Sequence, residues 1–334
     1  MAILPWGLMI ASYLFLGGAA GGAFLVGGLL DLQGKNSKLS KWGGYVGALA
    51  IVVGLGFLLL DLGHPERAFL AFVNVGSSVM TWGTWIISAF AVVAVAYISF
   101  YFGMFPWSKL VRARKALAAV GMVLAFATMY YTGILVGVAE SRPLWSQAAI
   151  PVLFTISGAS AGIAMLLMPS ALSKKEVGDE EVHGLERTDA LLIGAEVFVI
   201  ASIVFVLANS TSAAALSVQT LLTGDLSLLF WAGLVGVGLA LPLLLYAGTW
   251  TFRKHKAPTW VAFLASFSVL VGGLTLRYVV LGAGQSYEMT QGLGFTVAGI
   301  AIYVPTMTEI TLAAGLFLVF AVAYALGARM LLRK

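Results

Sequence analysis

Nine long apolar segments constrain this chain more than any other feature of its sequence. Each has about 20 residues or more, the length that a helix needs to cross the hydrocarbon core of a bilayer. None shows the alternating pattern of barrel strands. The chain has 334 residues, of which 60% are hydrophobic, and a mean hydropathy of +0.99. The sequence therefore predicts an all-α polytopic membrane protein with spans at approximately 6–30, 43–61, 82–102, 115–138, 150–168, 190–209, 227–251, 259–281 and 307–331.

The positively charged residues predict the orientation of the spans. All but three of the 19 Lys and Arg residues lie in every second connection or at the carboxyl terminus, the exceptions being Arg67, Arg142 and Arg277. Lys and Arg accumulate in cytoplasmic loops of membrane proteins. We therefore expect the amino terminus outside and the carboxyl terminus in the cytoplasm. The net charge of +5 has the same explanation, so nucleic acid is not an expected partner.

A glycine pattern in the first and fifth spans predicts two related halves. Gly18 and Gly22 are four residues apart, and so are Gly158 and Gly162. Glycines at this spacing share one helix face, where two backbones can approach closely, although such stripes also occur without a repeat. Both spans cross in the same direction, so we expect two parallel four-helix bundles, spans 1–4 and 5–8. The predicted units are residues 1–145, residues 146–281, and residues 282–334 with the ninth span.

Three connecting features carry further structural predictions. The acidic connection from Ser170 to Asp189 is interpreted as a solvated loop, with a cytoplasmic docking loop as the alternative. Pro242 is expected to kink the seventh span, because proline lacks a backbone N–H. Residues 282–306 are half polar, and we expect them to lie along the membrane surface or to cover a partner interface.

The cysteine and histidine content excludes several redox centres. The chain has no Cys, so it has no thiolate metal site and holds no iron–sulfur cluster. Its three histidines, His64, His183 and His255, all lie outside the predicted spans. A b-type haem held between helices needs axial ligands within them. We therefore expect neither haem nor a bound metal in this chain.

A group of titratable residues follows the second span, at its predicted outer end. Charged residues make up only 10% of the chain, so a group beside a bilayer needs a reason. Gly63 suits the left-handed residue after a helix, and Pro65 could open a short amphipathic segment. The alternative is an ordinary turn with a solvated ion pair. The group consists of Asp61, His64, Glu66 and Arg67.

The fourth span carries tyrosines and charged residues towards the same side. Tyr130 lies ten residues before Glu140, which is ~15 Å at the rise of an α-helix. This depth is below the usual interfacial belt of aromatic residues. We therefore expect at least one of Tyr130 and Tyr131 to face a cavity, with an aromatic belt as the alternative. Glu140 and Arg142 form a second charged turn beyond them.

These residue types match the requirements of a quinone site. A quinone ring is flat and apolar, its carbonyl groups need hydrogen-bond donors, and its two-electron chemistry moves two protons. Tyrosine hydroxyls and imidazole can donate, and Asp61, His64 and Glu140 could carry the protons. The glycine face at Gly18 and Gly22 would leave room for the ring.

Two further charged residues lie at membrane depth. Glu196 is in the sixth span and Arg277 in the eighth. Ionisable residues in such positions mark functional paths by default, so both are candidates for a proton path. Glu196 could instead bond to a neighbouring helix. Arg277 is near enough to the outer surface for its side chain to snorkel to the interface.

The motifs of the first four spans resemble one known family. Leu16–Phe24, Asp61–Phe69, Tyr131–Leu135 and Arg142–Trp145 are similar to segments of the NrfD or polysulfide-reductase membrane-subunit family. The resemblance implies two four-helix bundles, no haem, and a quinone site near the outer face of the first bundle. It also implies a ferredoxin-like partner with four [4Fe–4S] clusters on the outer face, together with a molybdopterin-containing catalytic subunit. The ninth span exceeds the family's eight-helix form.

Together these observations predict a quinol-reactive subunit of a respiratory oxidoreductase in the lipid of the prokaryotic cytoplasmic membrane. It would exchange electrons between menaquinone, bound exchangeably, and the iron–sulfur partner. A secondary transporter or proton channel, or a scaffold without redox function, is the alternative. The predicted catalytic residues are His64, Asp61 and Tyr130, and the predicted binding or supporting residues are Tyr131, Gly18, Gly22, Arg67, Glu140 and Arg142. Glu196 and Arg277 are assigned to the candidate proton path.

Overall fold

The regular structure of the described chain is helical. The computed structural model describes residues 6–35, 38–62, 64–73, 78–102, 105–139, 142–170, 179–210, 212–251, 259–285 and 303–332. Within these ranges, nine helices are long and apolar enough to cross a membrane. The predicted all-helical membrane class is therefore confirmed. Most of the connection at 282–306 lies outside the described residues.

The described helices agree with the predicted spans in order and number. The α-helices are α1 (Leu8–Leu32), α2 (Lys38–Asp61), α3 (Val79–Ser99), α4 (Val111–Gly137), α5 (Ala149–Ser170), α6 (Asp179–Ala208), α7 (Ser212–Leu222), α8 (Leu241–Thr251), α9 (Thr259–Gln285) and α10 (Met307–Leu332). Two 3₁₀ helices span Pro65–Phe72 and Pro106–Lys109, and a π-helix spans Leu229–Ala240. The π-helix continues directly into α8, and the two form the seventh span.

The structure corrects the prediction for the acidic connection before the sixth span. The sequence predicts a solvated loop up to Asp189, but α6 already begins at Asp179. Glu186 and Asp189 on its first turns are only 2% and 0% exposed. A hydropathy average treats every carboxylate as solvated, whereas a carboxylate with hydrogen-bond partners can be buried. The predicted span consequently begins too late.

The seventh span changes helix type before Pro242, where the sequence predicts a kink. Proline in a helix interior removes one hydrogen bond and clashes with the carbonyl four residues earlier. The wider π-helical turns end two residues before it. A Cβ atom on Gly238 would lie 2.4 Å from the Cα of Gly272, so the seventh span and α9 touch through their backbones here. A larger residue at either position would separate the two helices.

The spans place their termini at two ends of the protein. At one end, which we call the His64 end, Trp6 and Gln285 exchange two hydrogen bonds of 2.7 and 2.9 Å. At the other, the basic end, Lys38 Nζ donates to the carbonyl of Leu332 at 3.1 Å. The assignment of the basic end to the cytoplasm remains a prediction from the positive residues.

Helix α1 is the centre of the packing. It is almost entirely buried and contacts α2, α4 and α5. A Cβ atom on Gly22 would lie 2.5 Å from the carbonyl oxygen of Gly158, and one on Gly18 would lie 3.2 Å from the Gly158 Cα. The two helices therefore pack backbone to backbone along Gly18, Gly22, Gly158 and Gly162, which we call the glycine seam. The predicted close approach is present, but α5 fills the space that was expected to receive a quinone ring.

The ninth span, α10, packs along α2. Tyr45 on α2 donates to the carbonyl of Ala323 at 2.9 Å, and its ring lies against Gly327. Further along α2, the rings of Phe57 and Phe317 are 5.0 Å apart. These contacts bring the start of α10 to the end of α2. The ninth span thus contributes to the surroundings of Asp61.

Candidate functional site

The titratable group after α2 is exposed at the His64 end. Asp61 is the last residue of α2, and Pro65 opens the 3₁₀ helix, as the sequence predicts. His64 Nδ1 and Glu66 Oε1 are 2.9 Å apart, with side chains 68% and 65% exposed. Arg67 is also exposed. Such a pair contributes little to stability, so these side chains are available for contacts outside the chain. Gly63 lies outside the described residues.

Helix α4 directs its two tyrosines to different sides. Tyr130 is 39% exposed and its ring stacks on Phe126, so it lies on the lipid-facing surface of the helix. Tyr131 is 6% exposed, and its hydroxyl donates to the carbonyl of Met80 at 3.5 Å. Consecutive residues are 100° apart on an α-helix, so the two side chains leave α4 in different directions. The tyrosine expected to face the interior is therefore Tyr131, and the structure does not group Tyr130 with Asp61 and His64.

Two polar residues near the start of α1 were not among the sequence-predicted site residues. Tyr13 is 1% exposed and close enough to Tyr131 for the two side chains to interact electrostatically. The hydroxyl of Ser12 is buried and has no hydrogen-bond partner in the described part of the chain. Such a group is costly unless something bonds to it. In the sequence, the signal for this site was the occurrence of two adjacent polar residues in an apolar span, just before the glycine seam.

Residues at the start of α10 and just before it lie near Asp61. The Glu309 carboxylate interacts electrostatically with Asp61, and it accepts a 2.8 Å hydrogen bond from the backbone of Thr306, which makes it part of a helix capping box. The ring of Tyr303 lies against Gly7, where a Cβ atom would be 2.4 Å away. Burial raises the pKa of Tyr303, and the Glu309 carboxylate raises it further. Tyr303 therefore remains a protonated phenol, able to donate.

The second predicted turn, after α4, is buried against α9. Arg142 donates to the carbonyl of Gly284 at 3.0 Å, and its guanidinium lies 4.9 Å from the centre of the Trp145 ring. Trp145 donates to the carbonyl of Val280 at 2.8 Å and stacks on Trp6. Arg142 therefore connects the α4–α5 turn to the end of α9. Glu140 lies outside the described residues.

Arg277 does not snorkel, which corrects the prediction made for it. Its side chain is fully buried, and it donates to Ser157 Oγ at 2.5 Å and to the carbonyl of Phe154 at 3.1 Å. Helix α9 continues to Gln285, four residues beyond the predicted end of the span. Arg277 consequently lies about 12 Å from the helix end. Glu196 on α6, also buried, interacts electrostatically with this guanidinium.

A second buried carboxylate lies nearer the basic end of α6. Asp189 accepts hydrogen bonds from Ser160 Oγ at 2.6 Å and from the Tyr246 hydroxyl at 2.7 Å. One turn earlier, Glu186 is 2.8 Å from His183. These groups were not predicted because the sequence of this segment is typical of a solvated loop. Their three- to four-residue spacing, which places them on one face of a helix, was the sequence signal that this segment is helical.

The site chemistry can be tested against the two ligand classes considered above. Among the described residues, no group of three or more His, Cys, Asp or Glu side chains could hold a metal ion. A quinone carbonyl needs a donor, and the buried Ser12 hydroxyl and the phenols of Tyr13 and Tyr131 supply this chemistry. The four cavities described for this chain are lined by none of these three donors, nor by Asp61, His64 or Tyr130.

The fold and the site define a class before any comparison is made: an integral helical membrane protein with buried phenols and ionisable groups at membrane depth. The family model described as "Polysulphide reductase, NrfD" matches residues 2–288. The chain belongs to this family and is a membrane subunit of an oxidoreductase. Helix α10 lies beyond the matched residues.

Three curated relatives are similar over most of the chain. A polysulfide reductase polypeptide of Wolinella succinogenes is 34% identical over 308 residues, which cover 84% of this chain and 95% of that protein. Protein NrfD of Escherichia coli K12 is 29% identical over 307 residues, with the same coverage. A selenate reductase polypeptide of Mesobacillus selenatarsenatis is 24% identical over 316 residues, covering 83% of this chain and 73% of that protein.

Proposed function

We propose that this protein is the quinone-reactive subunit of a respiratory oxidoreductase complex. It exchanges electrons between menaquinone in the membrane and a ferredoxin-like [4Fe–4S] subunit bound at the His64 end. The terminal reaction takes place on another subunit, for which we propose a molybdopterin cofactor; the names of two relatives, which are parts of a polysulfide and a selenate reductase, support a complex of several subunits. The observation that carries the proposal is the pair of buried phenols, Tyr13 and Tyr131, that interact with each other next to the α1 position of the unpartnered Ser12, in a chain of this family.

The residues of the site have different roles in a quinone reaction. Reduction of a quinone takes up two electrons and two protons, and oxidation of a quinol releases them. The hydroxyls of Tyr13 and Tyr131 donate hydrogen bonds to the carbonyl oxygens and orient the ring. Asp61 and His64, exposed at the end of α2, exchange protons with the solvent. Burial of the donors excludes water from the apolar ring.

The 3₁₀ helix beside the site is suited to a partner protein. Phe69, Leu70 and Val73 are 62%, 51% and 63% exposed, next to the exposed Glu66 and Arg67. Exposed aromatic residues and arginine are enriched in protein interfaces. We place the iron–sulfur subunit on this surface, with Arg67 as an interface residue. Arg142 has a supporting role, because it fixes the α4–α5 turn to α9.

A pair of adjacent phenylalanine substitutions tests the proposed site. Tyr131→Phe removes the buried phenol and should lower quinone-dependent electron transfer by about tenfold, since it removes a buried donor. Tyr130→Phe is the matched control on the lipid-facing side and should leave turnover unchanged. Both complexes should assemble normally. Loss of turnover in Tyr130→Phe alone would support the sequence prediction for Tyr130 and contradict the assignment of Tyr131.

A quinone-site inhibitor distinguishes the redox function from its rivals. A transporter, a proton channel or a scaffold should bind no quinone in the purified complex. We expect one inhibitor molecule to abolish quinone-dependent turnover at stoichiometric titration. Turnover that persists with the inhibitor bound, or a complex that binds neither inhibitor nor quinone, would remove the redox assignment.

We also propose proton translocation as a second function of the same chain. The supporting observation is the burial of Glu196 and Arg277 at membrane depth, away from the His64 end. Buried ionisable groups within a membrane span are costly and mark functional paths. The proton-to-electron ratio of the complex in liposomes tests this function. A ratio no greater than that of quinone chemistry at the membrane surface would contradict it.

A further inference from the structure

Helix α6 carries three buried carboxylates on one face. Glu186, Asp189 and Glu196 are 2%, 0% and 4% exposed. Their separations of three and seven residues return to the same side of an α-helix, so the row extends about 15 Å along its axis. Each buried carboxylate is costly unless a partner stabilises it. A row of three buried carboxylates within a span therefore requires a functional explanation.

The row begins at a cavity on the basic end. This cavity has a volume of about 1010 Å³ and is lined by residues of α1, α2, α5, α6 and the α1–α2 connection, including Lys35, Glu181 and His183. His183 is 51% exposed, and its Nδ1 lies 2.8 Å from the buried carboxylate of Glu186. Histidine exchanges protons readily near neutral pH. Solvent protons can thus reach Glu186 through an imidazole.

Asp189 connects Glu186, near the basic end, to the part of the row that lies deeper in the membrane span. Tyr246 donates to Asp189 and also interacts electrostatically with Glu186, so its phenol is close to both carboxylates. On the other side, Ser160 of α5 donates to Asp189. Hydroxyl groups both donate and accept, so they can pass a proton along a hydrogen-bonded chain. Asp189 is therefore bounded by groups that relay protons.

The row ends at Arg277 beside the glycine seam. Ser157, one turn from Ser160 on α5, accepts the 2.5 Å hydrogen bond from Arg277 and also interacts with Glu196. A Cβ atom on Gly18 would lie 3.3 Å from the Arg277 guanidinium. The guanidinium is a permanent positive charge that attracts the Glu196 carboxylate. The polar row thus extends from the basic surface to α1, which also carries Tyr13.

We infer that these residues form a proton-conducting half-channel that opens at the basic end. The route runs through His183, Glu186, Asp189 with Tyr246, and Glu196, and it ends at Arg277. This inference rests on the proposed proton translocation and assigns a route to it. Each step moves one proton: a carboxylate accepts a proton from the group nearer His183, and the resulting carboxyl group passes it to the next carboxylate, of which Glu196 is the last acceptor; no electron is transferred. Arg277 is a positioning residue, because its charge holds Glu196 at the inner end of the route.

Amide substitutions test the route in the intact complex in liposomes. Asp189→Asn keeps the shape and the hydroxyl partners but cannot carry a proton, and Glu196→Gln does the same at the next position. We expect each to lower the proton-to-electron ratio to that of quinone chemistry at the surface, with electron transfer rates within about twofold of the wild type. Asp225→Asn changes an exposed carboxylate outside the route and should leave the ratio unchanged.

The outcomes separate the route from the function on which it rests. A wild-type ratio above the quinone value, retained in both amide variants, would overturn the route and leave proton translocation standing. A wild-type ratio equal to the quinone value would overturn proton translocation and the route with it. Tyr246→Phe provides a milder variant in case the amide variants do not fold, and it should give an intermediate ratio. A wild-type ratio in that variant would also count against the route.

Infrared spectroscopy of the purified protein supplies a readout that does not need turnover. A carboxyl group on a solvent-connected route exchanges its proton, so its carbonyl stretching band should shift in D₂O. We expect a D₂O-sensitive carboxyl band that disappears in Asp189→Asn and persists in Asp225→Asn. A spectrum that is unchanged in Asp189→Asn would contradict proton exchange at this residue.

Discussion

Two buried aspartates of this protein have tyrosine partners but different charge environments. Asp31, at the end of α1, accepts two hydrogen bonds from Arg114 at 3.0 and 2.7 Å and one from Tyr97 at 3.2 Å. Within the described part of the chain, the hydrogen bonds that Asp189 accepts come from the hydroxyls of Ser160 and Tyr246. A guanidinium compensates the charge of a carboxylate, whereas a hydroxyl stabilises either protonation state.

This difference separates a structural pair from a functional group. The Asp31–Arg114 pair connects α1 to α4 at the basic end, and its charge is already balanced. Asp189 can gain or lose a proton without breaking an ion pair. Burial alone therefore does not separate the roles of these two aspartates; a direct hydrogen bond from a guanidinium, present at Asp31 and not among those described for Asp189, does. Four pairs of variants test this distinction and its surroundings, from the largest expected effect on stability to the smallest.

The largest effect should come from Asp31→Ala. The Arg114 guanidinium would lose the partner that compensates its charge, and breaking a buried ion pair from one side costs about 3–5 kcal/mol. We expect a large fall in the thermal unfolding temperature of the purified protein in detergent. The matched change Asp189→Ala leaves no unpaired cation beside it and should be less destabilising. Equal losses in both variants would remove the distinction between the two aspartates.

The glycine seam, which joins the helix of Asp31 to the helix that contacts Asp189, should give the next effect. Gly22→Ala would bring a Cβ atom within 2.5 Å of the Gly158 carbonyl, so the backbones of α1 and α5 must separate. Such overpacking costs about 1–3 kcal/mol. Gly194→Ala is the matched control, because a Cβ atom there meets nothing within 4 Å. An unfolding temperature equal in both variants would indicate that the seam tolerates separation.

The spans were predictable from the sequence because their physical cause is local. A run of apolar residues must be helical in a bilayer, whatever it contacts. The predicted span order is confirmed throughout the described helices. The start of α6 was predicted wrongly because hydrogen bonds from Ser160 and Tyr246 stabilise the buried Asp189 carboxylate. These two residues are 29 and 57 residues away in the sequence. A local pattern contains no information about such partners.

The site was less predictable for the same reason. The exposed position of His64 and the opening of the 3₁₀ helix at Pro65 follow from local chemistry. In contrast, which of Tyr130 and Tyr131 faces inwards depends on how α4 is rotated against its neighbours. The contribution of α10 to the surroundings of Asp61 depends on the packing of helices that are far apart in sequence. Only the tertiary structure supplies this information.

A smaller effect distinguishes the tyrosines that bond to the two aspartates. Tyr97→Phe and Tyr246→Phe each remove one hydroxyl, and each should lower the unfolding free energy by about 1 kcal/mol. Only Tyr246→Phe should also lower the proton-to-electron ratio, because Asp31 keeps its arginine and is not on the proposed route. Unfolding curves and liposome assays of both variants measure the two quantities. A reduced ratio in Tyr97→Phe would extend the proton route to the first half of the chain.

The smallest effect on stability should come from the exposed pair at the His64 end. The 2.9 Å contact between His64 and Glu66 resembles the 2.7 Å Asp31–Arg114 contact in length but not in burial. Water screens the exposed charges, so His64→Ala should change the unfolding free energy by less than about 0.5 kcal/mol. If His64 exchanges protons for the quinone reaction, the same variant should lower quinone-dependent turnover by about 100-fold. Glu66→Gln serves as the control, since it removes the charge beside His64 and retains the imidazole. Normal turnover in His64→Ala would indicate that Asp61, whose carboxylate lies at the end of α2, exchanges the protons instead of His64.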